Sequence, residues 1–121
     1  MEEALELHDS DISQVEESDG ELKIVFSGAY ILAEGKGWMQ EAVLLLNGGK
    51  VNNLPSQYPV TVSDGFLVVG GQEIPNLLSL PLSLEGECLV KLVLTNGEAL
   101  EVTGTNPKIQ LIGERKFVEE V

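Results

Sequence analysis

Apolar and polar residues alternate along much of this chain, and the alternation is punctuated by turn formers. Leu22, Ile24 and Phe26 share one side of a stretch whose other side carries Glu21, Lys23 and Ser27. Val90, Leu92 and Leu94 repeat the pattern, as do Leu100 and Val102 between Glu101 and Thr103. A period of two is that of a strand with one buried face. Between such runs stand Asp19-Gly20, Asn47-Gly48-Gly49, Asp64-Gly65, Gly70-Gly71, Glu85-Gly86, Asn96-Gly97 and Asn106-Pro107. These residues supply the positive or fixed φ that tight turns require. The spacing predicts an all-β protein, an antiparallel β-sandwich or partly open barrel of about eight to ten strands.

The strongest local signal is a hairpin of 88–95 and 98–104 across Asn96-Gly97. Similar reasoning pairs 12–16 with 22–26, 60–63 with 66–69 across Asp64-Gly65, and 109–112 with 117–121 across Gly113-Glu114. Residues 38–46 fit both periods. Trp38, Ala42 and Leu45 have helical spacing, whereas Trp38, Gln40, Ala42, Leu44 and Leu46 alternate. A strand is preferred, because Gly37 precedes the run and Asn47-Gly48-Gly49 follows it. Residues 1–7 read as a short helix or frayed arm. Residues 71–86, with Pro75 and Pro81, read as a loop with extended pieces. Phe26 and Phe66 are assigned to the core.

With 121 residues, the whole of 1–121 is expected to be a single β domain. At this length a core can form without a disulfide or metal staple. The single cysteine, Cys88, has no partner within the chain, which favours a reducing compartment. The first residues are acidic and the longest strongly apolar run, 77–84, is too short to cross a bilayer. A cytoplasmic location is the resulting expectation.

Charge changes the picture more than composition does. Twenty acidic residues against seven basic ones give a net charge of −13. Residues 1–21 hold nine acids and no Lys or Arg. Nucleic acid and anionic membranes are held mainly by Lys and Arg, so neither is an expected partner. A basic protein would be attracted and its encounter accelerated. The plainer role of the charge is solubility and protection of sheet edges. Apolar runs such as 43–46 and 89–94 could also pair edge to edge across a homodimer.

Candidate chemistry is sparse. His8-Asp9-Ser10 lists the residue types of a hydrolytic triad, but a triad needs three converging side chains, and neighbours on an extended chain diverge. The structural expectation is that these side chains pin the entry to the first strand. The acids around Asp9 and Asp11 lack a calcium-loop spacing. One His and one Cys cannot make a structural zinc site. No catalytic residue, metal ligand or cofactor is assigned. Trp38 and Tyr30 are the aromatic candidates for a contact surface.

Two stretches carry a resemblance. Leu7-His8-Asp9-Ser10 is followed by Ile12, Val15 and 22–26. Asn96-Gly97 leads through Val102 and Gly104 to Ile109, Leu111, Gly113 and Lys116-Phe117-Val118-Glu119. Together they resemble small bacterial β-rich proteins with an early His-Asp-Ser or His-Asp-Ala, some of which look like immunity proteins of polymorphic toxin systems. The resemblance spans roughly the first and last quarters of the chain, and Leu7 stands where those proteins often carry Phe. It implies a protein-binding role and no catalytic residue. Two readings follow. One is a non-enzymatic module that binds a basic partner, steered by Asp9, Asp11, Glu16 and Glu17 and anchored by Trp38. The other is a small-molecule hydrolase or isomerase that uses His8 and a carboxylate.

Overall fold

A computed structural model describes residues 2–121. Eight strands form among them: β1 (Glu3–Ser18), β2 (Glu21–Ala33), β3 (Lys36–Asn53), β4 (Val60–Val69), β5 (Gln72–Pro75), β6 (Leu77–Leu80), β7 (Glu87–Leu94) and β8 (Ala99–Glu120). All pairings are antiparallel, in the order β5-β4-β7-β8-β3-β2-β1-β6. A further pairing of Asp11 and Ile12 on β1 with Thr61 and Val60 on β4 closes six strands into a ring. The protein is therefore all-β, a partly open barrel.

The inward positions are those of the alternating pattern. Leu22, Ile24 and Phe26 on β2 meet Ala42, Leu44 and Leu46 on β3, and Val90, Leu92, Leu100 and Val102 complete the far wall. Each of these is at most 1% exposed. Burying the Leu, Ile, Val and Phe side chains among them contributes on the order of 1.5–3 kcal/mol each, and this holds the ring shut.

β1 and β4 touch only briefly and then diverge. Asn76, between β5 and β6, fills the split. Its N–H donates to the Gly65 carbonyl at 2.9 Å and its own carbonyl accepts from the Leu7 N–H at 2.8 Å. Its side-chain oxygen accepts from the His8 N–H at 2.9 Å. Asn76 adopts a φ of 51°, which Asn tolerates better than most residues. β6 then pairs with the start of β1, Leu77–Leu80 against Glu6–Glu3.

Several local expectations change. Glu3–Leu7 belongs to β1 and is neither helix nor frayed arm; Met1 lies outside the described residues. Two expected hairpins are single strands. Gly65 continues β4 opposite Leu92, and Gly113 sits inside β8 while Ile112 and Lys116 both pair with β3. Asn47-Gly48-Gly49 and Asn106-Pro107 likewise lie within strands. A glycine can form a bulge as readily as a turn, and a long neighbouring strand selects the bulge. Residues 71–86 contain β5 and β6. Phe66 is only half-buried, whereas Phe26 is 1% exposed. The runs 43–46 and 89–94 lie on interior strands, β3 between β2 and β8 and β7 between β4 and β8, so neither is an edge available for dimer pairing. The strand reading of 38–46 and the 88–95/98–104 hairpin hold.

Candidate functional site

The sheet is interrupted at one level across four neighbouring strands. Leu7–Ser10 of β1 bulge between the pairs Glu6–Tyr30 and Asp11–Gly28. Ser27 and Gly28 of β2 lie where the β2–β3 register shifts, between Phe26 and Ala29. Gly113–Arg115 of β8 bulge opposite Gln40 of β3. Bulges bend a strand and re-aim its side chains. Aligned as they are, they crease the barrel wall. On the crease lies a depression of about 310 Å³, lined by Asp11, Ser27, Gly28, Met39, Gln40, Glu41, Glu114 and Lys116. Three carboxylates against one ammonium make it acidic. The Thr61 hydroxyl donates to Asp11 at 2.6 Å and fixes one carboxylate in place.

Beside the depression Tyr30 crosses the outer face. It is 6% exposed, and its hydroxyl donates to Glu119 at 2.6 Å. That hydrogen bond, burial, and the nearby charges of Glu119, Glu6 and Asp9 push its pKa up to about 12. The phenol therefore stays neutral and acts as a donor holding β8 to the face.

The residues singled out from the sequence do not gather in one place. His8 and Asp9 are exposed, with His8 Nδ1 3.3 Å from Asp9 Oδ2. Asp9 takes a φ of 73° at the bulge. Ser10 is fully buried: its hydroxyl donates to the Glu6 carbonyl at 2.7 Å and accepts from the Tyr30 N–H at 3.0 Å. It stands in for the ladder bonds that the bulge removes, so the three side chains of the linear triad do not converge. Asp11 is in the depression. Glu16 and Glu17 are exposed near the far end of β1, roughly 17–20 Å from Asp11 at about 3.3 Å per residue. Trp38 packs on the rim of the core and edge-on to Phe117, with centroids 5.6 Å apart.

Glu41, Glu114, Gln40 and Arg115 escaped the sequence reading. Arg115 donates to Gln40 Oε1 at 3.2 Å and, through both terminal nitrogens, to Glu3 at 3.1 and 3.4 Å. Gly113 was the available signal, since its φ of 70° marks the bulge that aims Arg115 inward. The described residues contain no group of three or more His, Cys, Asp or Glu side chains placed to hold one metal ion, so the carboxylates of the depression are spread rather than focused. No described helix is long and apolar enough to cross a membrane. No family model, curated relative or solved structure matches this chain.

Proposed function

We propose that this chain is a non-enzymatic binding protein that receives a basic protein partner on its creased acidic face. A role of the immunity type, neutralising a basic toxin in the cytoplasm, is the sharpest form of this reading and rests on the sequence resemblance. The observation that carries the proposal is the row of aligned bulges that gathers Asp11, Glu41 and Glu114 around one depression. Bulges interrupt sheet hydrogen bonding and re-aim side chains, and those of β1, β2 and β8 fall at one level of the wall. Spread carboxylates suit several Lys and Arg side chains, whose attraction chiefly accelerates encounter and sets specificity.

The test is capture of partners from native lysate on the immobilised protein, comparing three proteins. These are the wild type, a triple variant (Asp11→Asn, Glu41→Gln, Glu114→Gln) and a control (Glu16→Gln, Glu17→Gln). A basic protein held by wild type and control at low salt, released at high salt and lost by the triple variant is the expected result. Screening shortens the reach of charge from about 10 Å at 0.1 M to about 3 Å at 1 M. Equal retention by the triple variant, or nothing retained by any protein, overturns the reading.

A further inference from the structure

One end of the barrel carries almost no charge. Here β3 ends, β4 begins and the β7–β8 hairpin turns. Over residues 51–63 and 92–100 the one charged side chain is Glu98. The next charges along these strands are Lys50 on β3, Asp64 on β4, and Lys91 and Glu101, which are cross-strand partners on β7 and β8. Segment 54–59 crosses this end between β3 and β4. Pro55 is buried while the other residues of the segment are exposed, so the segment sets one side chain into the end of the barrel. The strand ends that meet there carry Val60, Leu94 and Leu100, all buried.

The segment is tied down at one point. Among the described residues, Ser56 is the one member of 54–59 that hydrogen-bonds, and Glu98 is its one partner. The Ser56 N–H donates to the two carboxylate oxygens at 3.1 and 3.2 Å, and its hydroxyl donates to Oε1 at 2.7 Å. Asn96 completes the seat. Its Nδ2 donates to the same oxygen at 2.8 Å, and its Oδ1 accepts from the Glu98 N–H at 2.9 Å. The hairpin beneath does not depend on this carboxylate. Backbone bonds close its turn, from the Leu94 N–H to the Glu98 carbonyl at 2.9 Å and from the Gly97 N–H to the Leu94 carbonyl at 3.0 Å. Removing the carboxylate therefore frees the segment and spares the hairpin.

We propose that 54–59 is a lid over this end of the barrel and that the Glu98 carboxylate is its latch, closed while ionised and released when the charge is removed. Hydrogen bonds to an ionised acceptor are roughly twice as strong as neutral ones, and a protonated carboxyl gives up part of its acceptor capacity. The Ser56 hydroxyl first, then the Ser56 N–H and Asn96, hold the Glu98 carboxyl below the usual carboxylate range. Those hydrogen bonds set the shift, rather than Glu16 and Glu17 at the end of β1 or the charges on the flanking strands. Tyr58, the titratable group on the lid, is pushed up by burial and stays neutral at acid pH. A carboxyl whose pKa is depressed in the closed form opens on protonation. Closure is complete above the ordinary glutamate value of about 4.3 and is lost as pH falls below it.

The test follows the backbone order parameters of 56–58 by NMR in the full chain, with Leu94 and Leu100 as internal references. Values of about 0.85 mark rigid backbone and values below about 0.6 flexible backbone. In the wild type at pH 7 the lid is expected to be as rigid as the strand ends. Between pH 5 and 3 it should loosen in step with the Glu98 carboxyl resonance, while Leu94 and Leu100 stay rigid. Glu98→Gln removes the charge with little change of shape, so its lid should already be loose at pH 7 and respond no further to acid. Ser56→Ala should loosen the lid in part, and Glu101→Gln should leave it closed. Circular dichroism at pH 7 checks that each variant folds, so the comparison at neutral pH holds even where acid unfolds the whole chain. A lid that stays rigid in Glu98→Gln at pH 7 would overturn the proposal. So would loosening on acidification that is the same in wild type and Glu98→Gln, because other carboxylates would then be its cause.

Discussion

Tyr30 lies across Gly37. A methyl group at position 37 would overlap the phenol oxygen and its ring carbon, and the same hydroxyl donates to Glu119 on the neighbouring strand. An aromatic ring laid over a glycine restores the packing that the missing side chain would leave open. Here it also ties β2 to β8 across β3. Gly37→Ala is expected to cost about 1–3 kcal/mol through overpacking. In a Tyr30→Ala background the same change should cost much less. Urea unfolding of the four proteins of this cycle measures the coupling, and an additive result would show that the contact is not what makes Gly37 necessary.

Ser10 and His8 are adjacent, yet their replacement should differ sharply. Ser10→Ala strands a buried Tyr30 N–H and the Glu6 carbonyl, at a cost of about 1–3 kcal/mol. His8→Ala removes an exposed ring whose ionic neighbour is the exposed Asp9, while the His8 backbone bond to Asn76 survives. Its effect should stay within about 0.5 kcal/mol. Thermal melts of both variants at neutral pH check the ranking.

Alkaline pH should weaken the fold. Burial pushes the Cys88 thiol up to about 11, and the Glu119 hydrogen bond with burial pushes Tyr30 up to about 12. Above the ordinary pKa of each group the folded protein binds more protons than the unfolded chain, so stability falls as pH rises. The loss should begin near pH 9 with Cys88 and continue from about pH 10 to 12 with Tyr30. Denaturant midpoints taken from pH 8 to 11.5 should decline. Cys88→Ala should flatten the first part of that decline, and Tyr30→Phe the second.

The Arg115 fork to Glu3 links β8 to β1 over the inner face. Both side chains are partly exposed, at 27% and 39%, so the ion pair should contribute no more than about 1 kcal/mol. Arg115→Lys keeps the charge but not the fork or the Gln40 contact, and its melting temperature should fall nearly as far as that of Arg115→Ala. A lysine variant that melts like wild type would show that charge alone matters.

Much of the barrel was legible in the chain because burial on one face imposes a period of two. Leu22-Ile24-Phe26, Ala42-Leu44-Leu46 and Val90-Leu92-Leu94 point inward as their alternation requires. Asn96-Gly97 turns a hairpin because its backbone needs are local and no distant strand competes for them. Gly65 and Gly113 carry similar local signals but lie in continuous strands, since β7 and β3 run past them and hold both flanks. The candidate site was less legible for the same reason. Asp11, Glu41 and Glu114 are remote in sequence, and no spacing joins them. They meet only because bulges on β1, β2 and β8 fall at one level of the sheet. Inward or outward orientation is a property of near neighbours along the chain, whereas register between strands is a property of the closed barrel. Alternation could therefore name the core, and only the ring of strands could choose which acids share a surface.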